Sequence, residues 1–77
     1  NGLRVYPNPV TDGILNVVIP EGAMGVLSIY NMAGGKVLER VASEGTQTIN
    51  VSNLQAGIYL VEVNTDNGKQ VSRIIVK

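Results

Sequence analysis

The chain contains no cysteine, histidine, tryptophan or phenylalanine. Without Cys and His it has no thiol nucleophile, no imidazole base, no Ser-His-Asp triad and none of the usual zinc ligand sets. The missing Trp and Cys pair argue against a true immunoglobulin domain, which packs a buried Trp on an inter-sheet disulfide. Charge of one sign is also lacking: six basic and six acidic residues are scattered and sum to zero. A nucleic-acid binder needs a positive face that releases counterions, and the sequence shows none. Apolar runs are short, far below the ~18 residues of a membrane-spanning helix. Zero net charge leaves a weak homodimer open.

What is present is period-two hydrophobicity in short runs, each closed by Gly, Pro or Asn. Leu3 to Tyr6 is the first expected strand, stopped by Pro7. Ile14 to Ile19 follows, with Leu15, Val17 and Ile19 on one face, and Pro20 is expected to end it because proline cannot donate to a ladder. "EGAMG" then reads as a turn, Val26 to Tyr30 as a strand with Leu27 and Ile29 inward, and "NMAGGK" as a Gly-containing hairpin loop into Lys36 to Ala42. Thr46 to Val51 is a further strand, and "SNLQAG" is a bend from which Leu54 dips into the core. Ile58 to Asn64 puts Tyr59, Val61 and Val63 on one face, and Asn67-Gly68 signals a hairpin into Val71 to Val76. The expectation is one all-β domain, 1–77, folded as a small seven-stranded antiparallel sandwich or barrel. Seventy-seven residues bury only about 60% of the unfolded surface, so stability is marginal at about 3–5 kcal/mol. "RIIVK" near the end is apolar on both faces, which admits two readings: a central strand buried on both sides, or an exposed apolar face awaiting a partner.

No constellation of catalytic residues emerges. Asp12, Glu21, Glu39, Glu44, Glu62 and Asp66 are dispersed, whereas a glycosidase needs two carboxylates at a fixed separation across a cleft. "NTDNG", from Asn64 to Gly68, is oxygen-rich but lacks the bidentate Glu that completes an EF-hand. Its Asp and Asn serve a hairpin turn instead, through left-handed backbone tolerance and Asx bonding. Asn50-Val51-Ser52 matches a glycosylation acceptor, a pattern frequent by chance. Three tyrosines are the whole aromatic content, a poor platform for stacking on sugars. The residues thus point to a domain with no catalysis and no cofactor, and a carbohydrate-binding or adhesive module is the alternative class.

The order of four segments carries more. "VYPNPVTDG", "LSIYNMAGGKV", "INVSNLQAGIYLVEV" and "GKQVSRIIVK", in that sequence, resemble the type A C-terminal sorting domain of the type IX (Por) secretion system of Bacteroidota. The resemblance covers Val5 to Lys77. The opening motif falls on Tyr6, Pro7, Asn8 and Pro9, and the central Tyr-Asn-x-x-Gly on Tyr30, Asn31 and Gly34. Leu-x-x-Gly-x-Tyr falls on Leu54, Gly57 and Tyr59, and the closing segment on Lys69, Arg73, Ile74, Ile75, Val76 and Lys77. Arg73 stands where many relatives show Lys, which keeps the charge.

The resemblance implies an immunoglobulin-type sandwich of seven strands that acts as an export signal, excised here from the end of a larger cargo protein. Its implied partners are the outer-membrane type IX translocon, shuttle proteins, and a sortase-like cysteine protease that cleaves upstream of the domain. The implied location is the periplasm in transit, then the cell surface or medium. Partner recognition is expected from Tyr6, Pro7, Asn8, Pro9, Gly57, Tyr59, Lys69, Arg73, Ile74, Ile75, Val76 and Lys77. Pro7 and Pro9 stiffen the opening segment, and the last strand offers a backbone edge suited to strand addition.

Overall fold

The structure is a computed structural model that describes residues 3–66 and 68–77, with backbone alone at 21–23. Readings that fall on Asn1-Gly2, on Asn67 or on the Glu21 side chain therefore lie outside the described residues. Among the described residues five strands form one antiparallel sheet: β1 (Arg4–Tyr6), β2 (Ile14–Asn31), β3 (Lys36–Asn50), β4 (Gly57–Thr65) and β5 (Gly68–Val76). The first half of β2 lies between β1 and the second half of β3, with Arg4 opposite Val18 and Ile14 opposite Asn50. The second half of β2 lies between the first half of β3 and β4, with Leu27 facing both Arg40 and Val63. β5 completes the order beyond β4.

Seven separate strands are not found: among the described residues the expected runs Ile14–Ile19 and Val26–Tyr30 belong to one continuous strand, and Lys36–Ala42 and Thr46–Val51 fall along another, which ends at Asn50. Pro20 does not end its strand, and "EGAMG" is not a turn. The ladder pairs Ile19 with Gly45 and resumes at Met24 with Ser43, so residues 20–23 of β2 oppose Glu44 of β3 alone. The missing N–H of Pro20 falls inside that bulge, where no ladder bond is required. Opposite it, Gly45 takes φ +101°, a conformation open to glycine, and lets β3 bend with β2. The bulge folds the sheet over, so that it wraps its own core as a nearly closed, barrel-like layer.

The core is the inward side of each expected run. Leu15, Val17, Ile19, Leu27, Ile29, Ile49, Val61 and Ile74 are buried, as are Tyr59 and Val63, while Leu54 packs against them from its bend. Full burial of each such aliphatic stabilises by about 1.5–3 kcal/mol, the scale on which a domain of this size stands or falls. Of the two readings of "RIIVK", the structure has the exposed one: Ile74 is 0% and Val76 5% exposed, while Ile75 between them is 36% exposed. The last strand is not central and not buried on both sides. Its hairpin with β4 closes with Thr65 opposite Gly68, which opens β5 at φ +118°.

Candidate functional site

The opening motif and the closing strand, far apart in sequence, meet at one seam. Pro7 and Pro9 have no N–H to give to a ladder, and both bonds into them, Tyr6–Pro7 and Asn8–Pro9, are cis. Between them the Asn8 side chain does the pairing. Its Nδ2 donates to the Arg73 carbonyl at 3.0 Å, and its Oδ1 accepts from the Ile75 N–H at 3.0 Å. A carboxamide offers a donor and an acceptor side by side, as a paired backbone residue does, so Asn fits here where an ionised Asp, an acceptor only, would leave the Arg73 carbonyl unmet. One step on, Val10 forms a parallel bridge with Val76: the Val10 N–H donates to the Ile75 carbonyl at 2.7 Å and the Lys77 N–H to the Val10 carbonyl at 2.9 Å. Farther up β5, the Leu3 N–H bonds Oε1 of Gln70. The outer edge of the last strand from Arg73 to Lys77 is therefore occupied, and strand addition by a partner along those residues would first have to displace this clasp.

The other motifs also serve the fold. Asn31 closes its loop with its side chain, Oδ1 accepting from the Ala33 and Gly35 N–H groups at 3.0 and 2.8 Å, while Gly34 turns the chain at φ +93°. Asp12 Oδ1 accepts from the Ile14 N–H at 3.2 Å, and the Gly13 carbonyl receives the Val51 N–H at 2.8 Å. The Tyr59 hydroxyl donates to the Gln55 carbonyl four residues back at 2.7 Å. That bond, from a tyrosine at the start of a strand to the corner before it, has the form of the tyrosine corner found in immunoglobulin-type sandwiches, with Val61 two residues on where those carry cysteine.

The expected site residues thus divide. Tyr59, Ile74 and Val76 lie in the core, and Asn8 is committed to the clasp. Gly57 opens β4 opposite Val76. Tyr6 is 44% exposed on β1, its carbonyl accepting from Asn16 Nδ2 at 3.4 Å. On the outward side of β5, Lys69, Val71, Arg73, Ile75 and Lys77 all face solvent. Beside them on β4 the ladder places Asn64 against Lys69, Glu62 against Val71, Leu60 against Arg73 and Ile58 against Ile75. Elsewhere on the sheet the Lys36 ammonium sits 3.2 Å from Glu39 and 5.8 Å from the Tyr30 ring; the hydrogen bond to Glu39 holds its pKa above the usual lysine value. Among the described residues no three acidic groups gather where they could hold a metal ion.

Residues 4–77 match the family described as the secretion system C-terminal sorting domain. The chain belongs to that family. The sorting domain is 34% identical over 70 residues to the funoran endo-beta-hydrolase of Wenyingzhuangia aestuarii, a match that covers 90% of this chain and 9% of that protein. It is 36% identical over 74 residues to beta-agarase D of Zobellia galactanivorans, covering 96% of this chain and 14% of the relative. The chain therefore spans a small fraction of the curated proteins it matches, and the sorting domain is an export signal rather than their catalytic part. Among solved structures, PorZ, described as an essential bacterial surface component of the type IX secretion system of Porphyromonas gingivalis, superposes with a TM-score of 0.80. The identity is 18%, over 99% of this chain and 11% of PorZ, a likeness of fold.

Two residues central to the sorting domain carried no signal in the sequence reading. Val10 is fully buried and bonds both Ile75 and Lys77, yet it stands between a proline and a turn with no periodic neighbours. Gly25 marks the close crossing of β2 and β4: a Cβ there would come within 1.9 Å of the Asn64 carbonyl oxygen. Nothing in the local sequence separates this glycine from those that serve turns.

Proposed function

We propose that this domain is the C-terminal segment of a larger exported cargo, engages the type IX translocon and its shuttle proteins from the periplasm, and is then removed by a sortase-like cysteine protease cutting upstream of it. The cargo is then left at the cell surface or released. One observation carries the reading: of the four family segments, the first three are consumed by the fold, in the Asn8–Ile75 clasp, the Asn31 loop and the Tyr59 corner. What the family pattern leaves free is the outward side of β5, where Lys69, Arg73, Ile75 and Lys77 make no core contact. Recognition by that strand is accordingly assigned to these four residues, with Ile74, Val76 and Tyr59 contributing through the fold they hold.

The test is a fusion of residues 1–77 behind a periplasmic reporter in a host that possesses the secretion system. Protease-accessible reporter at the cell surface, absent in a translocon-deficient strain, is the expected result. Reporter that stays in the periplasm overturns the reading.

A further inference from the structure

Resting on that reading, we infer that the outward side of β5, together with the adjoining residues of β4, docks face-on against a protein surface carrying a strip of carboxylates interleaved with apolar side chains. The outward residues of β5 alternate strictly, and Lys77 just past its end continues the row: Lys69, Val71, Arg73, Ile75, Lys77. Successive cations are four residues apart, or about 13 Å along a strand. Among the described residues none of the three has an ion-pair partner; the ion pair present is Lys36 with Glu39, on other strands. Between the cations Val71 is 54% and Ile75 36% exposed, and Ile58, opposite Ile75, is 39% exposed. Glu62, opposite Val71, is the carboxylate on the outward side of β4 and β5, and it is half-buried. The domain is neutral as a whole, so this row, two cations on β5 and a third just past its end, holds half of its six basic residues.

The clasp decides the mode of contact. Asn8 and Val10 already hold the backbone groups of β5 at Arg73, Ile75 and Lys77, so a partner meets side chains rather than the strand edge. The alternation decides the partner's class. An anionic headgroup layer would satisfy the cations but leave Val71 and Ile75 against a polar surface, and the face lacks the Trp and Phe that anchor interfacial segments. A protein strip that alternates acid and apolar groups satisfies both sets, and charge complementarity of this kind sets encounter rate and register.

The experiment uses the same reporter fusion. Lys69→Glu combined with Arg73→Glu should reduce surface delivery about tenfold or more, because like-charge juxtaposition costs several kcal/mol. The reporter should then accumulate in the periplasm while the purified variant keeps its thermal midpoint. Arg73→Glu alone, the milder variant, should give an intermediate loss. Arg40→Glu, an equal charge change on β3, should also export normally. Wild-type delivery of the double variant overturns the docking face, as does an equal loss from Arg40→Glu, which would show a net-charge effect. Binding of the purified domain to anionic phospholipid vesicles that the double variant abolishes would overturn the protein partner in favour of a membrane. A dimer in sedimentation equilibrium that the double variant dissolves would replace the partner with a second copy. Failure of the unmodified fusion to reach the surface overturns the sorting reading itself, and the docking face with it.

Discussion

Ile74 and Ile75 are the same residue type, adjacent on β5, and differ only in the side of the sheet they face. Ile74 is fully enclosed among the core aliphatics, while Ile75 lies outward beside Ile58 with a third of its surface in water. The inward side of the strand is aliphatic and ties β5 to the fold; the outward side interleaves aliphatics with cations, which packing does not require. A single nine-residue strand thus holds the core with one side and presents, on the other, the face proposed above for recognition. The strand's edge is a third region with its own role, because the clasp covers it near the end and keeps it from pairing with another chain.

The sharpest way to break this contrast is the same substitution at both positions. Ile74→Ala should cost about 2–5 kcal/mol, comparable to the whole stability of a domain this size at about 3–5 kcal/mol. The variant should be largely unfolded by circular dichroism at room temperature. Ile75→Ala should stay within about 1 kcal/mol of the parent in urea titration. Equal losses at the two sites would erase the division between the two sides. Next in size, Gly25→Ala forces β2 away from β4 and should cost about 1–3 kcal/mol through overpacking. Its amide spectrum should show shifts at Asn64 and Thr65 and along β4.

The clasp is tested by Asn8→Ala, which removes two hydrogen bonds and should cost about 1–2 kcal/mol. Hydrogen exchange at the Ile75 amide should speed up, while that of Leu27 in the centre of the sheet should change only with global stability. Unchanged exchange at Ile75 would mean that the edge is held by Val10 alone. The smallest effect is expected at Lys36, whose pair with Glu39 is exposed on both sides. Because its pKa is raised in the fold, any contribution is present at neutral pH and is lost as pH climbs through the alkaline range where the lysine titrates. Lys36→Met should leave the urea midpoint at pH 7 unmoved within error.

The inward sides of the strands were legible because burial writes a period of two directly into the chain, as with Leu15, Val17 and Ile19 or Tyr59, Val61 and Val63. Strand ends were less so. Pro20 reads as a stop, and only the pairing of Ile19 with Gly45 and Met24 with Ser43 shows that the ladder has already opened where the proline sits. The family motifs located these side chains but not their roles: Asn8 carries no local sign that its partner is Ile75, 67 residues away. The outward pattern of β5 could be read from the sequence once the inward side was known, since alternation fixes one from the other.

The clasp joins residues separated by most of the chain: Asn8 bonds Arg73 at a separation of 65 residues and Ile75 at 67. Contacts that distant slow folding, because the loop between them must be closed before they can form. A product cut short before Ile75 leaves Asn8 the Arg73 carbonyl alone and takes away both backbone partners of Val10, and it also loses Val76 from the core. Completion of the fold therefore certifies that everything between the two ends of the sheet has been synthesised and put in place. An export apparatus that reads only the finished domain would pass over any product truncated within it.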